Sequence, residues 1–149
     1  MYTVVLALHS WLRWLALLAG ILATVFALRS KDGRGPVDVW GLILIISLDV
    51  QLLLGLLLYV ALSPFTAEAM RDFGAAMKSP GLRFFAVEHV TLMLAAVVLA
   101  HVGRVLARKA ASAESRRSRL LICFALATMA MIVAIPWPGM TSGRPLFRL

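Results

Sequence analysis

Hydrophobic residues fall into four long stretches along the chain, which short segments rich in glycine, proline and charge separate. The stretches are residues 2–28, 39–62, 84–106 and 120–136. Each is close to the ~20 residues that an α-helix needs to cross a bilayer. Since the bilayer core offers no water to backbone N–H and C=O groups, spanning segments should be helical. The pattern predicts an all-α integral membrane four-helix bundle that forms a single domain over residues 1–149.

The composition also indicates a membrane protein with little mass outside the bilayer. Hydrophobic residues make up 62% of the 149 residues, and the mean hydropathy is +0.92. Soluble domains are closer to half apolar. The first stretch lacks a preceding basic segment, is long for a signal peptide and contains His9 and Arg13. We therefore expect it to be retained as the first helix.

Basic residues are distributed unequally between the two ends of the predicted bundle. Loops one and three, the latter including the segment 113–119, contain nine: Arg29, Lys31, Arg34, Arg104, Arg108, Lys109, Arg116, Arg117 and Arg119. Loop two and the tail contain five: Arg71, Lys78, Arg83, Arg144 and Arg148. The positive-inside rule then predicts that loops one and three are cytoplasmic, which is an N-out/C-out topology. The net charge of +8 indicates anionic lipid headgroups as partners and not nucleic acid.

Two further features limit the class of protein. Cys123 is the single cysteine, so one chain cannot form a disulfide, a CxxC pair or a zinc cluster. This excludes the membrane thiol-disulfide oxidoreductases, which need paired cysteines. In loop two, residues 66–77 have an amphipathic pattern that predicts a short interfacial helix outside the membrane.

His9 and His89 are the strongest candidates for chemistry. At 1.5 Å per residue, His9 lies about 10 Å from the start of its stretch and His89 about 8 Å from the start of its own. Imidazoles in hydrocarbon are costly and point to function, and two at matched depth suit the iron of a bis-histidine haem. We predict a haem b between the first and third helices. The alternatives are two hydrogen-bonded histidines, or another metal, for which two histidines are a small ligand set.

Arg13 and Asp49 are the charged residues expected deepest in the bundle. Arg13 follows His9 by about one turn on the same stripe of the first helix. An unpaired charge at this depth is expensive, so an ion pair between Arg13 and Asp49 is the simplest prediction. In a functional interpretation, Arg13 binds a haem propionate and Asp49 relays a proton to a quinone.

Three other polar residues are secondary candidates. Glu88 could orient the neighbouring imidazole or lie at the lipid interface, and Gln51 could form hydrogen bonds across the bundle or join a proton relay. His101 is a weak candidate for a second haem, because the second and fourth stretches contain no histidine to pair with it. We prefer a hydrogen-bonded interfacial position for His101.

Four segments carry a resemblance to known proteins: HSWLRW at 9–14, QLLLGLLLY at 51–59, RFFAVEH at 83–89 and IPWP at 135–138. They resemble a family of short bacterial four-span membrane proteins labelled cytochrome b-like, over essentially the whole chain. More distantly, the layout is similar to copper-resistance-D and protoporphyrinogen-oxidase (HemJ-type) bundles. The resemblance implies haem b and electron transfer through His9 and His89.

The sequence and the resemblance thus predict a multi-pass protein of the bacterial inner membrane that carries haem b near the outer surface. It would exchange electrons with quinone or with other membrane redox subunits, alone or as a homo-oligomer. Two alternatives stay open. One is a non-catalytic accessory subunit of a larger respiratory or photosynthetic complex. The other is a HemJ-like protoporphyrinogen oxidase, although no residue pattern demands that enzyme.

Overall fold

Long helices dominate the computed structural model of the chain, which describes residues 1–147. The helices are α1 (Tyr2–Arg29), α2 (Pro36–Leu57), α3 (Pro64–Arg71), α4 (Phe73–Lys78), α5 (Pro80–Arg83), α6 (His89–Arg108) and α7 (Ala113–Ala134). Five-residue π-helical turns at Leu58–Leu62 and Phe84–Glu88 extend α2 and join α5 to α6. Four segments are long and apolar enough to span a membrane: Tyr2–Arg29, Pro36–Leu62, Pro80–Arg108 and Ala113–Ala134. The predicted helical membrane bundle is confirmed.

The four long helices pack in the order α1, α2, α6, α7 around the bundle, each against two neighbours. Helices α1 and α6 therefore lie diagonally opposite each other, and so do α2 and α7. Small residues fill the centre, among them Ala16, Ala23, Ala96 and Ala100, each at most 1% exposed. Small side chains let helices approach closely in a membrane, where apolar burial does not drive association.

One end of the bundle, here called the arginine end, is closed by side chains that bind free carbonyl groups. Arg117 donates to the carbonyl groups of Ala27 and Leu28 in the last turn of α1, and Arg119 donates to that of Leu106 in α6. The last carbonyls of a helix have no partner within it and carry partial negative charge. Much of the basic charge that the sequence assigns to lipid headgroups thus also holds helix ends together.

The prediction that residues 113–119 form a loop is wrong. They are the first turns of α7, and the connection from α6 is only residues 109–112. Ser112 caps this helix, because its hydroxyl oxygen accepts a hydrogen bond from the Ser115 amide at 3.1 Å. Glu114 adds a negative charge to the first turn, where the helix dipole favours it. Arginine is itself a good helix former, so the charged run does not interrupt the helix.

The opposite end, here called the histidine end, carries the three short helices α3, α4 and α5 and the tail after α7. The single interfacial helix predicted at 66–77 is divided in two at Asp72, whose carboxylate caps α4 by accepting from the Ala75 amide. The tail folds back over α1: Arg13 and Trp14 both donate to the Leu146 carbonyl, at 2.7 and 3.2 Å. Arg148, counted above among the basic residues, lies outside the described residues.

Candidate functional site

His9 and His89 face each other across the bundle, near its histidine end. They belong to the diagonal helices α1 and α6, and their ring centroids are 6.2 Å apart with 65° between the ring planes. Both side chains are partly buried. The matched depth expected from the sequence therefore brings the two imidazoles to one place.

A hydrogen bond fixes the protonation pattern of His89. Its Nδ1 lies 2.8 Å from the Ala134 carbonyl oxygen, and because a carbonyl only accepts, Nδ1 must carry the proton. Ala134 ends α7, two residues before Pro136, so its carbonyl has no partner within the helix. Nε2 of His89 is left with its lone pair available. A metal-binding histidine is typically held in this way, with its other ring N–H donated to a carbonyl or carboxylate.

The π-helical turns shape the backbone on either side of His89. The turn Phe84–Glu88 directly precedes it, and the Tyr59 hydroxyl donates to the Ala86 carbonyl in that turn at 2.8 Å. The Tyr59 carbonyl in turn accepts from the Thr66 hydroxyl at 2.8 Å. Such wide turns are rare in proteins, and those that occur are frequently found at functional sites. Here they join α2, α3 and α6 around the histidines, and no sequence signal predicted them.

A cavity opens beside the two imidazoles, which we call the histidine cavity. The cavity itself has a volume of about 140 Å³. The volume rises to about 1120 Å³ when the open space at its mouth is included. Its walls are mostly apolar, and six of the lining residues are Leu6, Leu52, Leu56, Val90, Met93 and Val97. The polar groups that reach it include His9, His89, Gln51 and the two arginines Arg13 and Arg144. Ligand sites are typically such apolar pockets with a few convergent polar groups.

Two buried polar atoms near His9 have no hydrogen-bond partner: His9 Nδ1 and Gln51 Oε1. Both residues line the histidine cavity and also a smaller cavity of about 20 Å³ beside it. Gly55 leaves room for the ring, since a Cβ there would lie 3.4 Å from His9 Cε1. Buried polar atoms without a partner are uncommon and need an explanation. Gln51 thus brings a buried acceptor without a donor to the two cavities that His9 also lines.

The predicted ion pair between Arg13 and Asp49 is wrong. Asp49 instead accepts a hydrogen bond from His101 Nε2 at 2.9 Å, while Arg13 binds the Leu146 carbonyl of the tail. Asp49 and His101 are each about half exposed, at 46% and 47%, on the outside of the bundle. Neither lines the histidine cavity.

Glu88 does not orient His89. Its carboxylate accepts from Arg83 Nε at 2.7 Å, and both side chains are more than 40% exposed. This interfacial position was the alternative for Glu88. His101 occupies the hydrogen-bonded position preferred from the sequence, with Asp49 as its partner.

Arg144 reaches the cavity from the tail, and sequence reasoning missed it. Its Cζ lies 4.3 Å from the Phe65 ring centroid and 5.1 Å from that of Phe85. The path of the tail depends on contacts made 130 residues away along the chain, such as that of Arg13 with Leu146. A local sequence pattern does not encode those contacts.

Comparisons with protein-family models, curated proteins and solved structures return no match. The likeness to cytochrome b-like proteins therefore stays a prediction from the four segments quoted above. Within residues 1–147, no cluster of three or more His, Cys, Asp or Glu side chains could hold a metal ion. The imidazoles of His9 and His89 are the groups at this site that could bind a metal.

Proposed function

We propose that the chain binds a b-type haem between His9 and His89 and transfers electrons within the membrane. The observation that carries this proposal is the imidazole pair itself, 6.2 Å apart across the bundle. Two imidazoles on opposite sides of one metal, each with a nitrogen about 2 Å from it, have ring centroids roughly 6 Å apart. The spacing fits one shared metal ion.

The ligand set favours a metal that brings ligands of its own. Two histidines without a third donor are too few for a zinc, iron or copper site built from side chains alone. Haem iron needs only two axial ligands from the protein, because the porphyrin supplies the other four. The hydrogen bond from His89 Nδ1 to Ala134 leaves Nε2 ready for this role.

The surroundings fit a flat apolar ring better than a hydrated ion. The histidine cavity is lined mostly by apolar side chains and is open on one side. Its own volume of about 140 Å³ is close to that of an engineered cavity of ~150 Å³ that holds benzene. A tetrapyrrole would therefore also occupy the open mouth.

Gln51 would position His9 as Ala134 positions His89. Gln51 Oε1 and His9 Nδ1 are both buried without a hydrogen-bond partner, and both residues line the same two cavities. A ring N–H donated to Gln51 would leave His9 Nε2 free to bind iron. Loss of such an orienting partner typically weakens metal binding about 10–100-fold.

Haem, when bound, supplies a one-electron redox couple, and the protein sets its position and environment. Arg13, which lines the cavity, would add positive charge beside a ring with acidic side arms. Leu52 and Leu56 of α2 line the cavity opposite Val90 and Val97 of α6, and Leu56 is 42% exposed. This apolar wall would let a membrane-dissolved quinone approach, so quinone is the proposed electron partner.

Haem titration of the purified full chain in mild detergent tests the proposal. We expect the parent protein to bind about one haem per chain with a low-spin b-type spectrum. His9→Ala and His89→Ala should each bind at least about tenfold more weakly and lose that spectrum, since a direct ligand should matter no less than an orienting partner. His101→Ala is the matched control, because His101 lies outside the cavity, and it should bind like the parent.

Three results would contradict the proposal. Full haem retention in either His9→Ala or His89→Ala would rule out the assigned pair. Folded protein that binds no haem but co-purifies with a stoichiometric membrane partner would favour the accessory subunit instead. Oxidation of protoporphyrinogen by the isolated chain would favour the HemJ-like enzyme.

A further inference from the structure

Arg144 lines the histidine cavity, and its guanidinium group lies against two neighbouring aromatic rings. Its guanidinium carbon lies 4.3 Å from the centroid of Phe65 and 5.1 Å from that of Phe85. The Arg144 amide donates to the Pro136 carbonyl at 3.0 Å, which anchors this part of the tail. Aromatic faces attract a cation but accept few of its hydrogen bonds. The five N–H donors of the guanidinium group therefore remain available to a ligand.

No acidic side chain lines the histidine cavity, as far as residues 1–147 show. The nearby carboxylate of Glu88 is already paired with Arg83 at 2.7 Å. Over the same described range, Arg144 takes part in no salt bridge with a side chain. Among the described residues, Arg144 thus has no acidic side-chain partner. An anionic group on a ligand would complete the site.

We propose that Arg144 binds a carboxylate of the ligand that occupies the cavity, and so selects for a ring with acidic side arms. This inference rests on the proposed function, because it names the residue that binds the carboxylates of the same tetrapyrrole. Phe85 connects the two parts of the site: its ring centroid lies 5.1 Å from Arg144 Cζ and 6.5 Å from the His89 ring centroid. The ring would lie between the imidazoles with its carboxylates directed toward the mouth. Guanidinium and carboxylate groups match in geometry and can form two parallel hydrogen bonds.

A phospholipid phosphate shares this chemistry, since it is also an oxyanion attached to an apolar body. The imidazoles favour the ring, because acyl chains would leave the Nε2 lone pair of His89 and the buried Nδ1 of His9 in hydrocarbon without a partner. Groups buried in that way cost free energy. We therefore assign the subsite to a ring carboxylate, and the test below separates the two sources.

Iron-free protoporphyrin IX and its dimethyl ester form the decisive pair of probes. Both have the same ring, but only the free acid carries carboxylates, and neither needs histidine ligation. With the full chain in phosphatidylcholine nanodiscs, porphyrin fluorescence should report binding of the free acid at least about tenfold tighter than the ester, as expected for a charge-assisted bidentate pair. Arg144→Gln should remove most of this preference, since Arg13 still lines the cavity, and leave the affinity for the ester unchanged. Arg144→Lys should retain part of it.

Arg71→Gln is the matched control, because Arg71 is an exposed arginine in α3 at the same end of the bundle. It should keep the preference for the free acid. Equal binding of acid and ester by the parent protein, or equal behaviour of the two glutamine variants, would overturn the assignment. So would displacement of the free acid by phosphatidylglycerol in an Arg144-dependent manner, which would assign the subsite to lipid phosphate.

This test is separable from that of the proposed function. A chain that selects iron-free porphyrin through Arg144 but gives no bis-histidine haem spectrum would retain the carboxylate subsite and lose the electron-transfer role. If Arg144→Gln binds haem as tightly as the parent chain, the proposed haem site is retained and the carboxylate subsite is contradicted.

Discussion

At the scale of single residues, a hydrogen bond decides which nitrogen of His89 faces the cavity. Nδ1 donates to the Ala134 carbonyl, so the ring presents Nε2 with a free lone pair. His9 has no such partner: its Nδ1 is buried and unpaired beside Gln51. The two histidines are therefore held differently: a backbone carbonyl of α7 orients His89, whereas no hydrogen bond at Nδ1 orients His9. We expect His9 to be the ring that reorients more when a ligand binds.

The pair of Asp49 and His101 provides a prediction at this scale. Their hydrogen bond lies outside the histidine cavity with both side chains about half exposed. Hydrogen bonds between membrane helices contribute on average about 0.6 kcal/mol, and Asn can still accept from His101. Asp49→Asn should therefore change the free energy of unfolding in SDS titrations by less than about 1 kcal/mol and leave the haem spectrum unaltered. Loss of haem in Asp49→Asn would mean that Asp49 acts on the cavity after all.

The depth of these residues in the bundle was predictable from the sequence, whereas the direction in which their side chains point was not. A residue number gives the height of a side chain along a helix, which is why His9 and His89 were correctly expected at one level. The rotation of α2 relative to α1 follows from packing in the whole bundle. Asp49 and Arg13 consequently went to different partners, His101 and the Leu146 carbonyl. The carbonyl of Ala134 and the guanidinium of Arg144 were missed for the same reason.

At the scale of elements, the four apolar stretches were enough to predict the spans but not all their ends. The stretch expected at 120–136 became Ala113–Ala134 because a serine cap and arginines extend α7 beyond its apolar part. The stretch expected from residue 84 is preceded by α5 and begins with the π-helical turn Phe84–Glu88. Hydropathy indicates which residues lie in the membrane, whereas hydrogen bonds at the helix ends decide where each helix begins.

Close packing of α6 on α7 gives a prediction for Gly103. A Cβ at this position would collide with the Cβ of Cys123 and lie 3.2 Å from its Sγ. Gly103→Ala should lower the free energy of unfolding by about 1–3 kcal/mol, the typical cost of overpacking. Gly74→Ala is the control, since its Cβ would meet only Asp72 Oδ1, at 3.5 Å, and Ala favours the helix. Equal stability of the two variants in SDS titration would contradict the packing of these helices.

At the scale of the whole molecule, the bundle has two chemically different ends. Arginines bind helix carbonyls at one end, and the histidines, the short helices and the tail occupy the other. The charge difference predicts that the arginine end is cytoplasmic. The proposed haem would then lie near the outer surface of the membrane.

Single cysteines can test this orientation, because Cys123 is the only natural one. In a Cys123→Ala background, Ala75→Cys places a thiol on exposed α4 and Ala111→Cys places one in the exposed connection at the arginine end. In intact cells, a membrane-impermeant maleimide should label the thiol at position 75 and not the one at position 111. Permeabilised cells should show labelling of both. Labelling of position 111 alone in intact cells would reverse the topology.

The most direct test of the account is a reduced-minus-oxidised visible spectrum of the purified chain, with a haemochrome assay to count haem. We predict a sharp b-type α band at about one haem per chain, as expected for iron with two imidazole ligands. The band should be retained in His101→Ala and lost in both His9→Ala and His89→Ala. A flat spectrum from folded protein that has been supplied with haem would contradict the proposed function.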